Sequence, residues 1–217
     1  MALHGANQFE TAEPLEAAGF FLDHSLQAPP TDRFTAHVFE CLLTIARNEA
    51  RETDAPLELA LGLSAKDLDN LLAAWTPQLM EQLAKRPRAE NVELDEEEMQ
   101  LLDLFQRHRV DDSAETRWIA TIMARRCMSP NHLWQDLGLD SRQELGRLMR
   151  ERFPDLAARN KQNMKWKKFF YRCLCELEGF TLCAAPTCQE CNDYSDCFGE
   201  ETGDARPTPR SLNRGPV

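Results

Sequence analysis

The sequence predicts an all-α fold, a compact multi-helix domain with a C-terminal cysteine-rich metal-binding loop. Apolar residues recur every three or four positions in each long segment, and no segment alternates as a half-buried strand does. Helix-start signals precede most of these apolar stripes. Four cysteines then crowd a short segment near the C-terminus. No stretch approaches the roughly 18 apolar residues of a membrane span, so we expect no membrane association.

Polar residues at five places predict helix N-termini. Each stands just before an apolar stripe, where its side chain can accept a hydrogen bond from a free backbone N–H. The predicted starts are Thr31 or Asp32, Ser64, Ser113, Ser129 before Pro130, and Ser141.

Proline and glycine predict where helices end. Pro77 interrupts the helix that Ser64 begins, and a further short helix is expected over 79–86. Gly138, Pro154 and Gly179 mark later ends. The last helix is predicted from about Asn160 to Glu178. Its expected inward residues are Met164, Phe169, Cys173 and Leu177.

Most acidic side chains are interpreted as solvated or capping groups. The run from Glu93 to Glu98 begins a stripe that reaches His108, and negative charge suits a helix N-terminus. Asp136 and Glu144 are explained in the same way, by capping and solvation. These residues are therefore not expected to carry chemistry.

Composition divides the chain into four parts. Residues 1–30 are an extension with three prolines, and 31–178 form the helical domain. Residues 179–201 are the cysteine metal-binding loop. Residues 202–217, rich in Pro, Gly and Arg, are predicted to be disordered because they cannot bury enough apolar surface.

Charge and cysteine content limit the function classes. A net charge of −11 argues against a general nucleic-acid binder, which needs Lys and Arg to neutralise phosphates. Ten Lys or Arg against three acids lie between Arg142 and Arg172, just before the loop. The N-terminus shows no secretory or transit pattern, which predicts a cytoplasmic protein. Its cysteines are then thiols or metal ligands, since cytoplasmic disulfides are rare.

The cysteine loop reads Cys183-x4-Cys188-x2-Cys191-x5-Cys197. Four soft thiolates within fifteen residues select a thiophilic metal, such as zinc, copper(I) or an iron–sulfur cluster. A C-x4-C-x2-C spacing with a further Cys favours the iron–sulfur cluster over zinc. The alternative is a structural zinc-binding helical interaction module. Dinucleotide and hydrolase motifs are missing from the sequence, so we expect a metal carrier and no enzyme.

Three linked segments of the C-terminal half carry a resemblance. The first is Arg125-Arg-Cys-Met-Ser-Pro-Asn-His-Leu-Trp-Gln-Asp-Leu-Gly-Leu139, and the second is Asn163-Met-Lys-Trp-Lys-Lys-Phe-Phe-Tyr-Arg172. The third is Cys175-Glu with the loop that ends in Cys197-Phe-Gly-Glu200. In this order they resemble the NifQ family of nitrogen-fixation proteins.

The resemblance implies a molybdenum-processing protein of nitrogenase assembly. Its cofactors would be an iron–sulfur cluster and molybdenum, held by Cys183, Cys188, Cys191 and Cys197. It would donate molybdenum to iron–molybdenum cofactor biosynthesis. The implied partners are the cofactor assembly scaffold, the nitrogenase iron protein, and molybdate or another molybdenum species.

Several further residues are secondary site candidates. One group is a block of basic residues just before the cysteine loop. Clustered cations attract anions, so this block would guide molybdate or dock an acidic partner. The alternative is that these residues are solvated faces of helices. The block comprises Arg159, Lys161, Lys165, Lys167, Lys168 and Arg172. Cys175 and His132 are possible additional ligands. Their alternatives are a small buried hydrophobe for Cys175 and a hydrogen-bonded core residue for His132, as for His108.

Overall fold

A computed structural model describes residues 32–84, 86–177, 179 and 194–206. Within these ranges the chain is helical and contains no strand, which confirms the predicted all-α, multi-helix fold. Residues 180–193, with most of the cysteine loop, lie outside them. The helices are α1 Arg33–Thr53, α2 Leu57–Leu61, α3 Ala65–Trp75, α4 Met80–Leu83, α5 Glu96–Arg107, α6 Ala114–Cys127, α7 Leu133–Asp136, α8 Arg142–Arg152, α9 Pro154–Arg159, α10 Trp166–Leu177 and α11 Tyr194–Phe198, with a 3-10 turn at Pro77–Leu79.

Four of the predicted N-caps are confirmed. The Asp32 carboxylate accepts hydrogen bonds from the N–H groups of Phe34 and Thr35, and so begins α1. Ser64, Ser113 and Ser141 accept the N–H of the residue three positions later, and so begin α3, α6 and α8. Each bond satisfies one of the N–H groups that a helix start leaves without an internal partner.

Aromatic residues join the helices into one core. Phe39 of α1 contacts Trp75 of α3 and Trp118 of α6, with ring centroids 5.2 and 6.2 Å apart. Phe105 of α5 meets Phe170 of α10 edge to face at 4.9 Å. Such contacts add to the area that the rings bury. The core therefore holds α10, which leads toward the cysteine loop, against α5.

The predicted start of α7 is wrong. Ser129 and Pro130 precede a helix that begins only at Leu133, after the N-cap His132. The N–H of Ser129 donates to the carbonyl of Arg126, so this residue still belongs to the closing turn of α6. Gly138 ends α7 as predicted, with a φ of +71° that an L side chain rarely adopts.

The last helix is also shorter than predicted. It begins at Trp166 and not at Asn160, because Asn163 has a φ of +55° that interrupts the helical path. Pro154 does not merely end α8 but also begins α9, as proline can at a first helical position. Leu177 was predicted to face inward, yet 56% of it is exposed. Met164, Phe169 and Cys173 are buried as predicted.

The acidic first turn of α5 is only partly solvated. Glu96 and Glu97 are exposed, but Glu98 is buried and lies 2.7 Å from Nε of Arg125 on α6. Its side chain also accepts the N–H of Asp95, which completes a capping box. Burial raises the pKa of the Glu98 carboxyl against the opposing effects of the Asp95 N–H and Arg125. For Glu98, the interpretation as a solvated group is therefore wrong.

Candidate metal centre

Cys197 is the loop cysteine that the structure describes, and it lies in α11. Its carbonyl oxygen accepts the backbone N–H of Lys165 at 2.8 Å, immediately before α10. The Lys165 ammonium also donates to the carbonyl of Ser195, at 3.2 Å. Two hydrogen bonds thus fix α11 to the start of α10. Cys183, Cys188 and Cys191 lie outside the described residues.

The residue after α11 must be small. The Gly199 N–H donates to the Ser195 carbonyl at 2.8 Å, and a Cβ on Gly199 would lie 2.4 Å from that same oxygen. Tyr194 and Phe198 stack with ring centroids 4.6 Å apart, so both rings lie on one side of the short helix.

Arg142 holds the chain on both sides of Cys197. From the first turn of α8 its guanidinium pairs with the Glu201 carboxylate, four residues after the cysteine. It also donates to the carbonyls of Asn163 and Met164, at 3.1 and 2.8 Å, in the turn before α10. The planar fork of arginine suits this multiple contact. Sequence reasoning missed Arg142, because a single Arg directly after a helix N-cap is no signal of such a role.

The turn before α10 is built around Asn160. Its side chain accepts the N–H of Met164 and donates to the Met164 carbonyl, both at 2.8 Å. This clamp supports the unusual backbone of Asn163 and orients Lys165 toward Cys197. The second family-like segment therefore begins with a turn and not with a helix.

Residues 199–206 run back across α7. The Gln135 amide donates to the Asp204 carbonyl at 2.9 Å, and Gly203 allows a close approach to the same side chain. Arg206 then lies 2.8 Å from Glu49 of α1. We call residues 199–206 the C-terminal strap. The predicted disorder from residue 202 stays a prediction for 207–217, which lie outside the described residues.

A buried carboxylate lies beneath this strap. Asp136 is 0% exposed and accepts the Lys167 ammonium at 2.7 Å and the Asn131 amide at 2.9 Å. Lys167 also donates to the carbonyl of Ser129. The interpretation of Asp136 as a solvated carboxylate is wrong, and Lys167 faces this interior pair. A buried charge is tolerated only when it is paired and hydrogen-bonded, as it is here.

Glu49 extends the buried pair into a charge network. Its carboxylate accepts Arg126, whose side chain is only 3% exposed, at 2.6 Å and Arg206 at 2.8 Å. Arg206 in turn lies 3.8 Å from Asp136. Opposite charges therefore alternate through Arg126, Glu49, Arg206, Asp136 and Lys167. This network joins α1, α6, α7, α10 and the strap.

The basic block does not form one face. Lys167 points into the network and Lys165 toward α11, whereas Lys168 is exposed. Glu176 lies 3.0 Å from Arg172 and 3.3 Å from Arg159. Arg159, Lys161 and Arg172 line a surface cleft of about 280 Å³. The cations that can meet an anion are thus a subset of the predicted block.

The described cysteines differ in access. Cys41, Cys127 and Cys173 are buried in the core. Burial raises the pKa of the Cys127 thiol to about 12 and also raises that of Cys173. Cys175 and Cys197 are only half-buried. These two are the described thiols that an external metal can reach.

His132 and His108 both lie at helix ends. His132 is the half-buried N-cap of α7, and its N–H donates to the side-chain oxygen of Gln135 at 3.2 Å. His108 is the C-cap residue of α5, and burial lowers the pKa of its imidazole. A role of His132 as a metal ligand stays a prediction.

Comparison with known proteins decides the family. The family model described as NifQ matches residues 38–199. The chain belongs to the NifQ family. The NifQ homolog of Sinorhizobium fredii is 41% identical over 82% of this chain and 78% of its own length. The NifQ protein of Rhodobacter capsulatus is 36% identical over 92% of this chain and 99% of its own length. The NifQ protein of Azotobacter vinelandii is 49% identical over 48% of this chain and 53% of its own length. No solved structure matches the chain.

The segments that carry the NifQ resemblance converge in space. The first and second meet where Lys167 contacts Asp136 and the Ser129 carbonyl. The second and third meet at the hydrogen bond between Lys165 and Cys197. Residues far apart in the sequence therefore surround one corner of the NifQ fold, where the cysteine loop ends.

Cys197, the described thiol of this corner, is a donor of the kind that a thiophilic metal or cluster takes. The Cys197 side chain is half-buried. Its backbone carbonyl is held in place by the hydrogen bond from the Lys165 N–H. Thiolates are the soft ligands that zinc, copper(I) and iron–sulfur clusters prefer. In this NifQ chain, Cys183, Cys188, Cys191 and Cys197 are the residues that would hold such a group.

Proposed function

We propose that this chain is a molybdenum-processing metal carrier of nitrogenase assembly. It binds an iron–sulfur, or molybdenum–iron–sulfur, cluster through Cys183, Cys188, Cys191 and Cys197. It donates molybdenum to iron–molybdenum cofactor biosynthesis and acts as a carrier without catalytic turnover. Membership in the NifQ family supports the role in nitrogen fixation. The observation that carries the proposal is that the second family-like segment contacts both of the others, the first at Asp136 and the third at Cys197.

The described side chains have positioning roles in this proposal. Lys165 fixes the Cys197 carbonyl, and Arg142 holds Glu201 together with the turn before α10. Both ends of the segment 197–201 are thereby fixed to helices. A bound cluster supplies sulfide and thiolate coordination for molybdenum, and such positioned surroundings tune its stability.

Molybdate is a hard oxyanion, so a cationic surface should meet it before soft ligands do. The cleft between α9 and α10 offers such a surface, because its lining carries three cations, Arg159, Lys161 and Arg172, against the one carboxylate of Glu176. Lys168 adds an exposed positive charge on α10. We propose that these residues, without Lys167, guide molybdate or an acidic partner to the cluster. The proposed partners are the cofactor assembly scaffold and the nitrogenase iron protein.

The first experiment is metal and acid-labile sulfide analysis of protein purified without oxygen from molybdate-supplied cells. We expect iron, sulfide and molybdenum together, and their loss when Cys188 and Cys191 are both replaced by Ser. Cys127→Ala is the matched control, because this cysteine is buried in the core. A colourless protein with zinc bound by the loop and no sulfide would contradict the proposal and favour the structural zinc module.

A second experiment separates loading from transfer. The double variant Lys161→Glu/Lys168→Glu should slow molybdenum loading or weaken transfer to the scaffold, with an effect that falls as salt rises. Lys66→Glu is the control for one of the two charge reversals, since it makes that reversal at an exposed position of α3, outside the cleft. Unchanged loading and transfer would remove the role of these cations. Lost transfer with normal loading would assign them to docking.

In the part of the chain that the structure describes, no helix is long and apolar enough to cross a membrane. We propose a cytoplasmic location, where thiols stay reduced.

A further inference from the structure

A second group of potential metal ligands lies between α1 and α8. His37, Asp140 and Glu144 each offer one ligand atom, and these atoms all lie within 4.8 Å of one another. Nε2 of His37 is 3.3 Å from both carboxylate oxygens of Glu144. None of the three belongs to the cysteine loop or to the basic block.

One of these distances matches the separation of two ligand atoms around a single cation. Zinc binds imidazole nitrogen and carboxylate oxygen at about 2.0–2.2 Å, which places two ligand atoms of a tetrahedral site about 3.3–3.5 Å apart. The pair His37 and Glu144 already has that separation. The Asp140 carboxylate lies within 4.8 Å of both, on the exposed turn before α8, where its side chain has room to rotate toward them.

The surroundings hold the ligands in place. His37 has a side chain only 6% exposed, and Sγ of Cys41 lies 3.7 Å from its ring nitrogens. One oxygen of Glu144 accepts the N–H of Asp140 at 2.9 Å, so the other can point to a metal. Gly138 allows the turn to touch α1, because a Cβ there would meet the Cys41 carbonyl at 3.0 Å.

We propose that His37, Asp140 and Glu144 form a separate site for a divalent cation of the Zn²⁺ or Mn²⁺ type. One imidazole and two carboxylates form a harder donor set than four thiolates, which disfavours copper(I) or a sulfide cluster. Three protein ligands leave at least one position for water. The cation would fix the start of α8, where Arg142 holds the chain on both sides of Cys197.

The test uses Mn²⁺ and the full-length chain, purified without oxygen. Electron paramagnetic resonance of free Mn²⁺ measures binding, and Zn²⁺ serves as competitor. We expect one site, and a Kd more than about tenfold weaker in Glu144→Gln, because even the loss of partners outside the ligand sphere costs about 10–100-fold. Glu151→Gln, the same change at an exposed position of α8, should leave the Kd unchanged.

Two further variants keep the outcome decisive. Asp140→Asn changes an exposed ligand, so it tests the site even if Glu144→Gln disturbs folding. Cys188→Ser should leave Mn²⁺ binding intact, which separates this site from the proposed cluster. Equal Mn²⁺ binding in the wild type, Glu144→Gln and Asp140→Asn would overturn the proposal and leave His37 and Glu144 as an ion pair.

Discussion

At the scale of single residues, two neighbouring lysines of α10 have opposite environments. Lys167 pairs with the fully buried Asp136, whereas Lys168 is exposed. Their sequence context is nearly the same, so the basic run alone could not distinguish them. The distinction arises from Asp136, which lies 31 residues earlier in the chain.

Replacing the inward lysine should cost far more stability than replacing the outward one. Lys167→Met leaves the Asp136 carboxylate buried without its cation, so we expect a loss of about 3 kcal/mol in the free energy of unfolding. Lys168→Met should change it by less than about 0.5 kcal/mol. Urea denaturation of both variants measures the difference. Equal losses would show that the interior pair adds no stability.

The N-cap of α1 should contribute less stability in acid. Burial raises the pKa of Asp32, but hydrogen bonds from Thr35 and Phe34 and the charge of Arg152 outweigh it and hold the pKa below the ordinary value of 3.8. The folded state therefore favours the carboxylate. Its contribution is complete well above pH 3.8 and is lost as the pH falls through the lower folded pKa.

Asp32→Ala should therefore destabilise the protein by about 1 kcal/mol at pH 7. We expect this loss to shrink in urea titrations carried down to pH 2.5. Ser141→Ala removes an uncharged N-cap from α8 and is the control, since its cost should stay constant. If the stability lost in Asp32→Ala were also independent of pH, that would contradict a lowered pKa of Asp32 in the folded state.

At the scale of elements, helix starts were predictable because capping is local. Asp32 and Ser113 each bond to N–H groups two or three residues away, which a sequence pattern records. The true start of α10 was not predictable in this way. It depends on Asn163, whose backbone is supported by Asn160 and by Arg142 from another helix.

Two glycines should respond oppositely to the same substitution. At Gly138 a Cβ would lie 2.5 Å from Ile45 and the φ is +71°, so Gly138→Ala should destabilise by about 3 kcal/mol through backbone strain and overpacking. Gly146 lies within α8, and only the flexible end of Arg150 approaches its Cβ position. Gly146→Ala should stabilise by about 0.5–1 kcal/mol. Thermal unfolding of both variants tests the contrast, and the same sign for both would contradict it.

At the scale of the whole molecule, neither the charge network nor the contacts of the C-terminal strap could be predicted from the sequence. Glu49 and Arg206 are 157 residues apart, and Asp136 and Lys167 are 31 apart. Each residue looks like an ordinary surface charge in its own segment. The fold class and the family-like segments were readable, but the pairing of those segments depends on packing across the entire helical domain.

Arg142 should control the mobility of the strap. In Arg142→Ala, Glu201 and the carbonyls of Asn163 and Met164 lose their shared donor, so we expect faster amide hydrogen exchange across 194–206. Arg150→Ala, two turns later on the same helix, should leave exchange there unchanged. Equal exchange in both variants would place the anchoring of the strap elsewhere.

The hydrogen bond between Lys165 and Cys197 makes one backbone nucleus a sensor of the proposed metal site. The N–H of Lys165 donates to the Cys197 carbonyl, and the Lys165 carbonyl accepts the N–H of Phe169 at 2.9 Å as α10 begins. Any strain on the cysteine therefore reaches the first turn of that helix through two peptide groups. In a ¹⁵N-labelled protein, the Lys165 cross-peak should shift when the proposed cargo leaves Cys197, and so report its release.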